Sequence, residues 1–211
     1  MKILELGEPS AETVLIQPIG DHELAGLDLE LRSIQELTNQ SFRFVAVKVD
    51  QWNDDLSPWN APAVFHDESF GSGAAATLDR IVEYCKDESL TYYIGGYSLA
   101  GLFSLWAACQ TEVFSGVAAA SPSMWFPGFL DYLKGQPIHS RAVYLSLGDK
   151  EEKVSNPVLK TVGDCIREGH ELFRAQGIDC KLEWNKGNHF REPDMRTAKA
   201  FAWLMNTQRG G

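Results

Sequence analysis

Several features that define other classes of protein are missing from this sequence. The 211-residue chain has no apolar run long enough to span a bilayer, no internal repeat and no stretch rich in Lys and Arg. Its 19 basic residues are outnumbered by 29 acidic ones, and the net charge of −10 argues against nucleic acid or an anionic membrane as a partner. It also lacks HExxH, a P-loop and any clustered Cys/His set, so we expect neither a metal nor a cofactor.

Cysteine is scarce as well. The four cysteines form no CxxC pair, which is typical of free thiols in a reducing compartment. The first residues also lack the long apolar region of a signal peptide, so the cytoplasm is the expected location. Length and a hydrophobic content of 44% fit one domain over residues 1–211, whereas the oligomeric state is left open.

The chain alternates short apolar runs with helical patterns. Leu24, Leu27, Leu31 and Ile34 recur at helical spacing after Asp21, which is a suitable N-cap. The runs are rich in Val, Ile, Tyr and Phe, as buried strands are; they are VLIQPI (14–19), FRFVAVKV (42–49), LTYYIGG (90–96), FSGVAAA (114–120), RAVYLSL (141–147) and CKLEW (180–184). This alternation predicts an α/β protein, with a mostly parallel sheet of about six strands and helices on both faces. Functional residues should follow the strands, at their carboxyl ends.

The most specific motif is GGYSLAG at residues 95–101. It follows a predicted strand directly and precedes a helical run, so Ser98 would lie on a tight strand-to-helix turn with its hydroxyl exposed. Such a turn needs small residues two places before and two places after the serine, and Gly96 and Ala100 meet this need. The pattern therefore predicts a nucleophilic serine; the alternative is that Ser98 only caps the helix.

A serine nucleophile needs a histidine base and an acid that orients it. Of the histidines after Ser98, His139 precedes a strand and His170 lies within a helix, whereas His189 follows the last strand and is the predicted base. The acid should follow RAVYLSL, where three carboxylates compete: Asp149, Glu151 and Glu152. The residues alone leave these three open.

The motifs GGYSLAGLFSLWA, ASPSMWF, YLSLGDKEE and GNHF together resemble the α/β-hydrolase superfamily, in particular its compact bacterial esterases related to esterase D and enterochelin esterases. The resemblance covers residues from about 12 to 206, nearly the whole chain. In that superfamily the acid often lies three places after a strand-ending glycine. Counted from Gly148, this implies Glu151, with Asp149 as the main rival and Glu152 behind it.

Two backbone N–H groups form the oxyanion hole of this fold. The first belongs to the residue after the nucleophile, here Leu99, and the second to the loop after an earlier central strand. That strand is expected to be FRFVAVKV, so the predicted second donor is Trp52 or Asn53, with Trp52 favoured.

Two tryptophans are candidate substrate contacts. Trp125 follows the strand after the predicted nucleophile, and Trp59 lies in the long irregular connection 51–73. Only about one helix and two turns fit between Ala120 and Arg141, so we expect a minimal cap. The pattern GSGAAA at 71–76 matches a dinucleotide fingerprint, but no convincing strand precedes it, and we interpret it as a glycine turn that opens a helix.

These features together predict a serine esterase that cleaves small, soluble carboxylic esters through an acyl-enzyme on Ser98. A thioesterase or a small peptidase would use the same groups, because acyl transfer to serine tolerates several leaving groups. An inactive hydrolase fold that binds a ligand is the alternative outside catalysis, since a fold does not by itself imply a function.

Overall fold

A computed structural model describes residues 2–64 and 67–207 of the chain. Within these residues, seven strands form one sheet; they are β1 (Lys2–Gly7), β2 (Thr13–Ile19), β3 (Arg43–Lys48), β4 (Thr91–Tyr97), β5 (Phe114–Ala120), β6 (Ala142–Gly148) and β7 (Asp179–Asn185). Their order across the sheet is β1-β3-β2-β4-β5-β6-β7, and all neighbouring pairs are parallel except β1 with β3. The predicted α/β class and mostly parallel sheet are therefore confirmed.

The strand β1 is the element that the sequence analysis missed when it predicted about six strands. It pairs antiparallel with β3 at the edge of the sheet, and five of its six residues are exposed. Leu4 alone is partly buried against the neighbouring apolar core, so this edge strand lacks the apolar run that reveals the other six strands.

Seven α-helices accompany the sheet in the described residues: α1 (Leu27–Thr38), α2 (Trp52–Asp55), α3 (Ala74–Tyr84), α4 (Leu99–Gln110), α5 (Phe129–Gly135), α6 (Val162–Ala175) and α7 (Pro193–Thr207). One face of the sheet packs on α1 and α7, and the other packs on α3, α4 and α6, so that two apolar cores enclose it. This is the predicted three-layer arrangement. None of the described helices is both long and apolar enough to cross a membrane.

The first helix begins later than the leucine spacing predicts. Residues Asp21–Gly26 form a 3₁₀ helix, and α1 begins only at Leu27. The Glu23 carboxylate accepts the Gly20 N–H at 2.9 Å, so a side chain of the first 3₁₀ turn is bonded to the residue that precedes the turn. Leu24 belongs to this separate turn and is partly exposed, which is why it does not continue the buried stripe of α1.

The connection 51–73 is partly ordered by short elements. It contains α2 and a bridge between Ala61 and Phe70, and Gly73 then precedes α3. The GSGAAA pattern follows that isolated bridge, and the turn is built on α2, since Ser72 N–H donates to Asp54 Oδ1 at 3.0 Å. The interpretation as a glycine turn that opens a helix is confirmed.

An unusual polar pair lies between β2 and α1. Gln17 Nε2 donates to Glu30 Oε2 at 3.3 Å, but the Oε1 atoms of both residues are buried without a partner among the described residues. Burial raises the pKa of Glu30 well above its ordinary value; the Gln17 bond opposes the rise, and the carboxylates of Glu23 and Asp194 add to it. The fold therefore favours protonated Glu30.

We expect Glu30→Gln to raise the free energy of unfolding at about pH 8 by about 1 kcal/mol, because the Glu30 carboxyl must take up a proton to be buried at this pH, whereas the amide is neutral in both states and can donate to Gln17 Oε1. Folding raises the pKa of Glu30, so the stability that this group contributes is full below its ordinary value of 4.5. That contribution is lost as pH rises through the folded pKa. The gain should therefore be smaller at about pH 5, as measured by urea unfolding at both pH values.

Glu36→Gln is the matched control, because Glu36 lies exposed on the same helix. It should change the free energy of unfolding little at either pH. A gain for Glu30→Gln that is as large at about pH 5 as at about pH 8 would contradict this account of the buried carboxyl.

Candidate active site

Ser98 occupies the sharp turn between β4 and α4. Its backbone has φ 56° and ψ −118°, a left-handed conformation that non-glycine residues rarely adopt and that costs about 1–3 kcal/mol. The turn is crowded, since a Cβ at Gly96 would lie 2.6 Å from the Cβ of Ala100. This contact explains why small residues flank Ser98.

The Ser98 hydroxyl does not cap the helix that follows. It makes no capping hydrogen bond to α4, and its backbone is far from the extended conformation of an ordinary N-cap. The hydroxyl lies instead 3.0 Å from Nε2 of His189 and 3.2 Å from the hydroxyl of Ser123. The alternative that Ser98 is only a helix cap is therefore wrong.

The three groups of the predicted triad lie in a hydrogen-bonded row. His189, in the turn after β7, contacts Ser98 through Nε2, and its Nδ1 lies 2.6 Å from Glu151 Oε2. The rival carboxylates have other partners. Asp149 accepts the Gly187 N–H at 2.8 Å, and Glu152 pairs with Arg167 at 2.9 Å.

Glu151 is buried, with 6% of its surface exposed. Burial by itself raises the pKa of this carboxyl, but the hydrogen bond and charge of His189 lower it, as do hydrogen bonds from Gly148 N–H and the Ser121 hydroxyl. The lowering contributions prevail, and the pKa lies below its ordinary value. The carboxylate is therefore ionised at neutral pH and accepts from His189.

Arg196, on α7, is a functional candidate that the sequence analysis missed. Only 1% of its surface is exposed, and its guanidinium donates to Glu151 Oε1 at 2.7 Å and to Tyr97 OH at 3.1 Å. It also donates to the backbone carbonyl of Asn188 at 3.0 Å, and Tyr97 OH donates to the carbonyl of His189 at 2.7 Å. The guanidinium thus joins the acid to the loop that carries His189.

A signal for Arg196 was present in the sequence. Arg196, Ala200 and Leu204 follow one another at four-residue spacing, and all three are buried. A charged residue in line with apolar residues on one helix face is a candidate for a buried, paired charge.

The structure contradicts the strand assignment behind the predicted second oxyanion donor, Trp52. The strand beside β4 is β2, with Ile16 level with Ile94, whereas β3 lies one strand further away. The segment that faces Ser98 from the neighbouring strand is therefore 20–22. Trp52 follows β3 and lines the pocket instead.

A cavity of about 260 Å³ opens beside Ser98. Its walls combine three aromatic side chains with polar groups; the lining residues are His22, Trp52, Asn53, Glu68, Phe70, Ser98, Leu99, Ser123 and Trp125. Leu99 is the first residue of α4, so its N–H is at a helix N-terminus next to the nucleophile. Of the two predicted substrate contacts, Trp125 lines this cavity.

Trp59 does not line the cavity, so its predicted contact with substrate is corrected. Its indole N–H donates to the carbonyl of Pro127 at 2.9 Å, and its ring packs on Phe126, Phe129 and Tyr132. These contacts make Trp59 a packing residue that joins the connection 51–73 to the α5 region. Position along the chain did not distinguish Trp59 from Trp125. Both residues follow parallel strands, whose carboxyl ends lie at the same edge of the sheet.

The cap over this cavity is small. Between the end of β5 and the start of β6, α5 is the one helix, and it has seven residues.

The described residues contain no group of three or more His, Cys, Asp or Glu side chains placed to hold a metal ion.

Solved structures of hydrolases share this fold. An IroE-like serine hydrolase from Shewanella oneidensis matches with a TM-score of 0.75 at 14% identity, over 97% of this chain and 75% of its own. The siderophore hydrolase EstA from Aspergillus nidulans matches at 0.62 with 18% identity, over 95% and 85%. The enterobactin esterase Fes from Shigella flexneri matches at 0.67 with 13% identity, over 98% of this chain and 55% of its own.

These likenesses establish the α/β-hydrolase fold, as the sequence motifs implied. The identities are too low to carry a substrate across, and this chain spans about half the length of Fes. No protein-family model matches the sequence, and no curated protein sequence matches it significantly.

We expect Arg196→Met to lower the free energy of unfolding by about 3–5 kcal/mol, because it leaves the buried Glu151 carboxylate without its cationic partner. Lys199→Met, on the same helix, is the control. Lys199 pairs with Glu183 near the surface, and its loss should cost about 1 kcal/mol at most. Urea unfolding at neutral pH measures both variants, and equal losses would contradict a special role for the buried pair.

Proposed function

We propose that this protein is a serine hydrolase that cleaves carboxylic esters through an acyl-enzyme on Ser98. The observation that carries the proposal is the continuous row of hydrogen bonds from Ser98 through His189 to Glu151. The three groups come from turns after three different strands, and their contacts are those that base-assisted attack by a serine requires.

In the proposed reaction, Ser98 Oγ attacks the ester carbonyl while His189 Nε2 takes its proton. Glu151 accepts the Nδ1–H and stabilises the imidazolium that forms. The oxyanion is stabilised by the N–H of Leu99 and by an N–H of the segment 20–22. His189 then protonates the leaving alcohol, and water, activated by the same imidazole, cleaves the acyl-enzyme.

The cysteines support serine as the nucleophile. Burial raises the pKa of Cys85, Cys109 and Cys180 to about 12, so these thiols are protonated at neutral pH and poor nucleophiles. The names of similar structures, which include enterobactin and ferulic acid esterases, also support cleavage of esters.

The proposal extends to the setting in which the enzyme acts. The single continuous sheet supports one hydrolase domain over the chain. The four free thiols support a reducing compartment, the cytoplasm. The net charge of −10 supports a small-molecule ester as the partner, rather than nucleic acid or a membrane surface. The reaction as written needs no cofactor.

Ser98→Ala and His189→Ala should each lower kcat by roughly 10³-fold or more, because each removes a group that acts in the same step. The double variant should be scarcely slower than either single variant. Hydrolysis of p-nitrophenyl butyrate measures all three, and a fluorophosphonate should label Ser98 in the wild type.

The control for the base is His139→Ala, since His139 is exposed before β6, away from the carboxyl ends of the strands. The acid is tested in the same assay, where Glu151→Gln should lower kcat far more than Asp149→Asn or Glu152→Gln. Wild-type turnover by Ser98→Ala on every ester tested would overturn the proposed function.

Acyl-chain length gives an independent test of the pocket. The cavity is small and its cap is a single short helix, so acetate and butyrate esters of p-nitrophenol should be cleaved faster than the palmitate ester. The acidic surface offers no means of docking on a lipid interface, so turnover should not rise when the substrate forms micelles. Faster cleavage of palmitate, with a sharp rise at the micelle threshold, would contradict this description of the pocket.

A further inference from the structure

The pocket beside Ser98 has a chemical character that the ester reaction does not require. Its lining includes three aromatic side chains, Trp52, Phe70 and Trp125, together with the carboxylate of Glu68. The rings are held in pairs, since Trp52 packs edge-on against His22 and Phe70 lies 6.1 Å from Trp125 between ring centroids. Aromatic faces next to a carboxylate are the groups that bind an organic cation in proteins.

Glu68 differs from the other carboxylates of the connection 51–73. Asp54 accepts the N–H of Ser72 at 3.0 Å, and Asp55 accepts the N–H of Gln51 at 2.9 Å, so both are used to order the backbone. Within the described part of the chain, the hydrogen bond to Glu68 is a long one of 3.5 Å from Asn53. The Glu68 carboxylate is exposed at the pocket and keeps acceptor capacity for a ligand.

The charges around the pocket also favour a cation. The connection 51–73 contains four carboxylates and no Lys or Arg. Burial lowers the pKa of His22, which keeps its ring neutral near pH 7. Lys48 is paired with Asp21 at 2.9 Å, and Arg196 is paired with Glu151. An ester with a positive charge would therefore be attracted to the opening of this pocket, and an anionic ester would be repelled.

We propose that the preferred substrates carry a positively charged amine or quaternary ammonium group, which binds between Glu68 and the rings of Trp52 and Trp125 while the ester carbonyl faces Ser98. This inference rests on the proposed function, and it names the class of ester. The carboxylate supplies the ionic contact, and the rings accept the apolar surface of the ammonium group.

The test compares two pairs of esters that differ only in charge. The first pair is choline butyrate and its carbon isostere, in which tert-butyl replaces trimethylammonium; the second places the same two groups at the end of the acyl chain of a p-nitrophenyl ester. We expect kcat/KM to favour the cation by roughly tenfold in the pair whose charged end reaches Glu68. The preference should weaken as ionic strength rises.

Three variants locate the effect. Glu68→Gln should bring the ratio of cationic to neutral kcat/KM close to one, because it removes the charge and keeps the shape. Trp125→Leu should lower the same ratio by removing a ring face. Asp67→Asn is the matched control, since it removes one charge from the neighbouring exposed residue, which does not line the cavity, and it should leave the ratio unchanged.

The outcomes separate this inference from the proposed function. Equal kcat/KM within both pairs, with Ser98 labelled by fluorophosphonate, would overturn the cation site and leave the esterase intact. A preference that survives Glu68→Gln would also overturn it. If the wild type cleaves no ester and Ser98 is not labelled, the proposed function is lost, and the inference with it.

Discussion

The buried ion pair between Arg196 and Glu151 connects most of the parts that meet at Ser98. Through it, α7 is joined to the turn after β6, to the hydroxyl of Tyr97 at the end of β4 and to the loop that carries His189. Removing two charges from water is costly unless each charge is fully paired, and in this structure both charges are paired. The carboxylate can therefore stay ionised in an apolar interior, where it also accepts from His189.

The turn at Ser98 imposes a second constraint. A left-handed serine is tolerated only where its surroundings hold it, and here β4 and α4 hold it from both sides. Gly96 and Ala100 are in contact across the turn, so larger side chains at these places would force the strand and the helix apart. The backbone strain at Ser98 and the buried charge of Glu151 both lie within the proposed site. The stability that they cost is supplied by the two apolar cores on either face of the sheet.

The segment 20–22 links the fold to the pocket on the other side of Ser98. Glu23 accepts the Gly20 N–H, and burial raises the pKa of this carboxyl to about 7. With Glu30 and Asp194 it forms a group of acids beneath a segment that contributes His22 to the pocket. The rings and the Glu68 carboxylate that line the pocket, rather than the hydrolase fold itself, give it the character from which a cationic ester is inferred.

The sequence by itself determined six of the seven strands, the turn at Ser98 and the small cap, because periodicity and turn sterics depend on contiguous residues. It also directed attention to His189, which follows the last strand. Only the tertiary structure decided which neighbouring carboxylate touches His189, since Asp149, Glu151 and Glu152 differ mainly in the direction in which each side chain points. It likewise decided that β2, rather than β3, is the strand beside β4, because strand order is set by long-range packing.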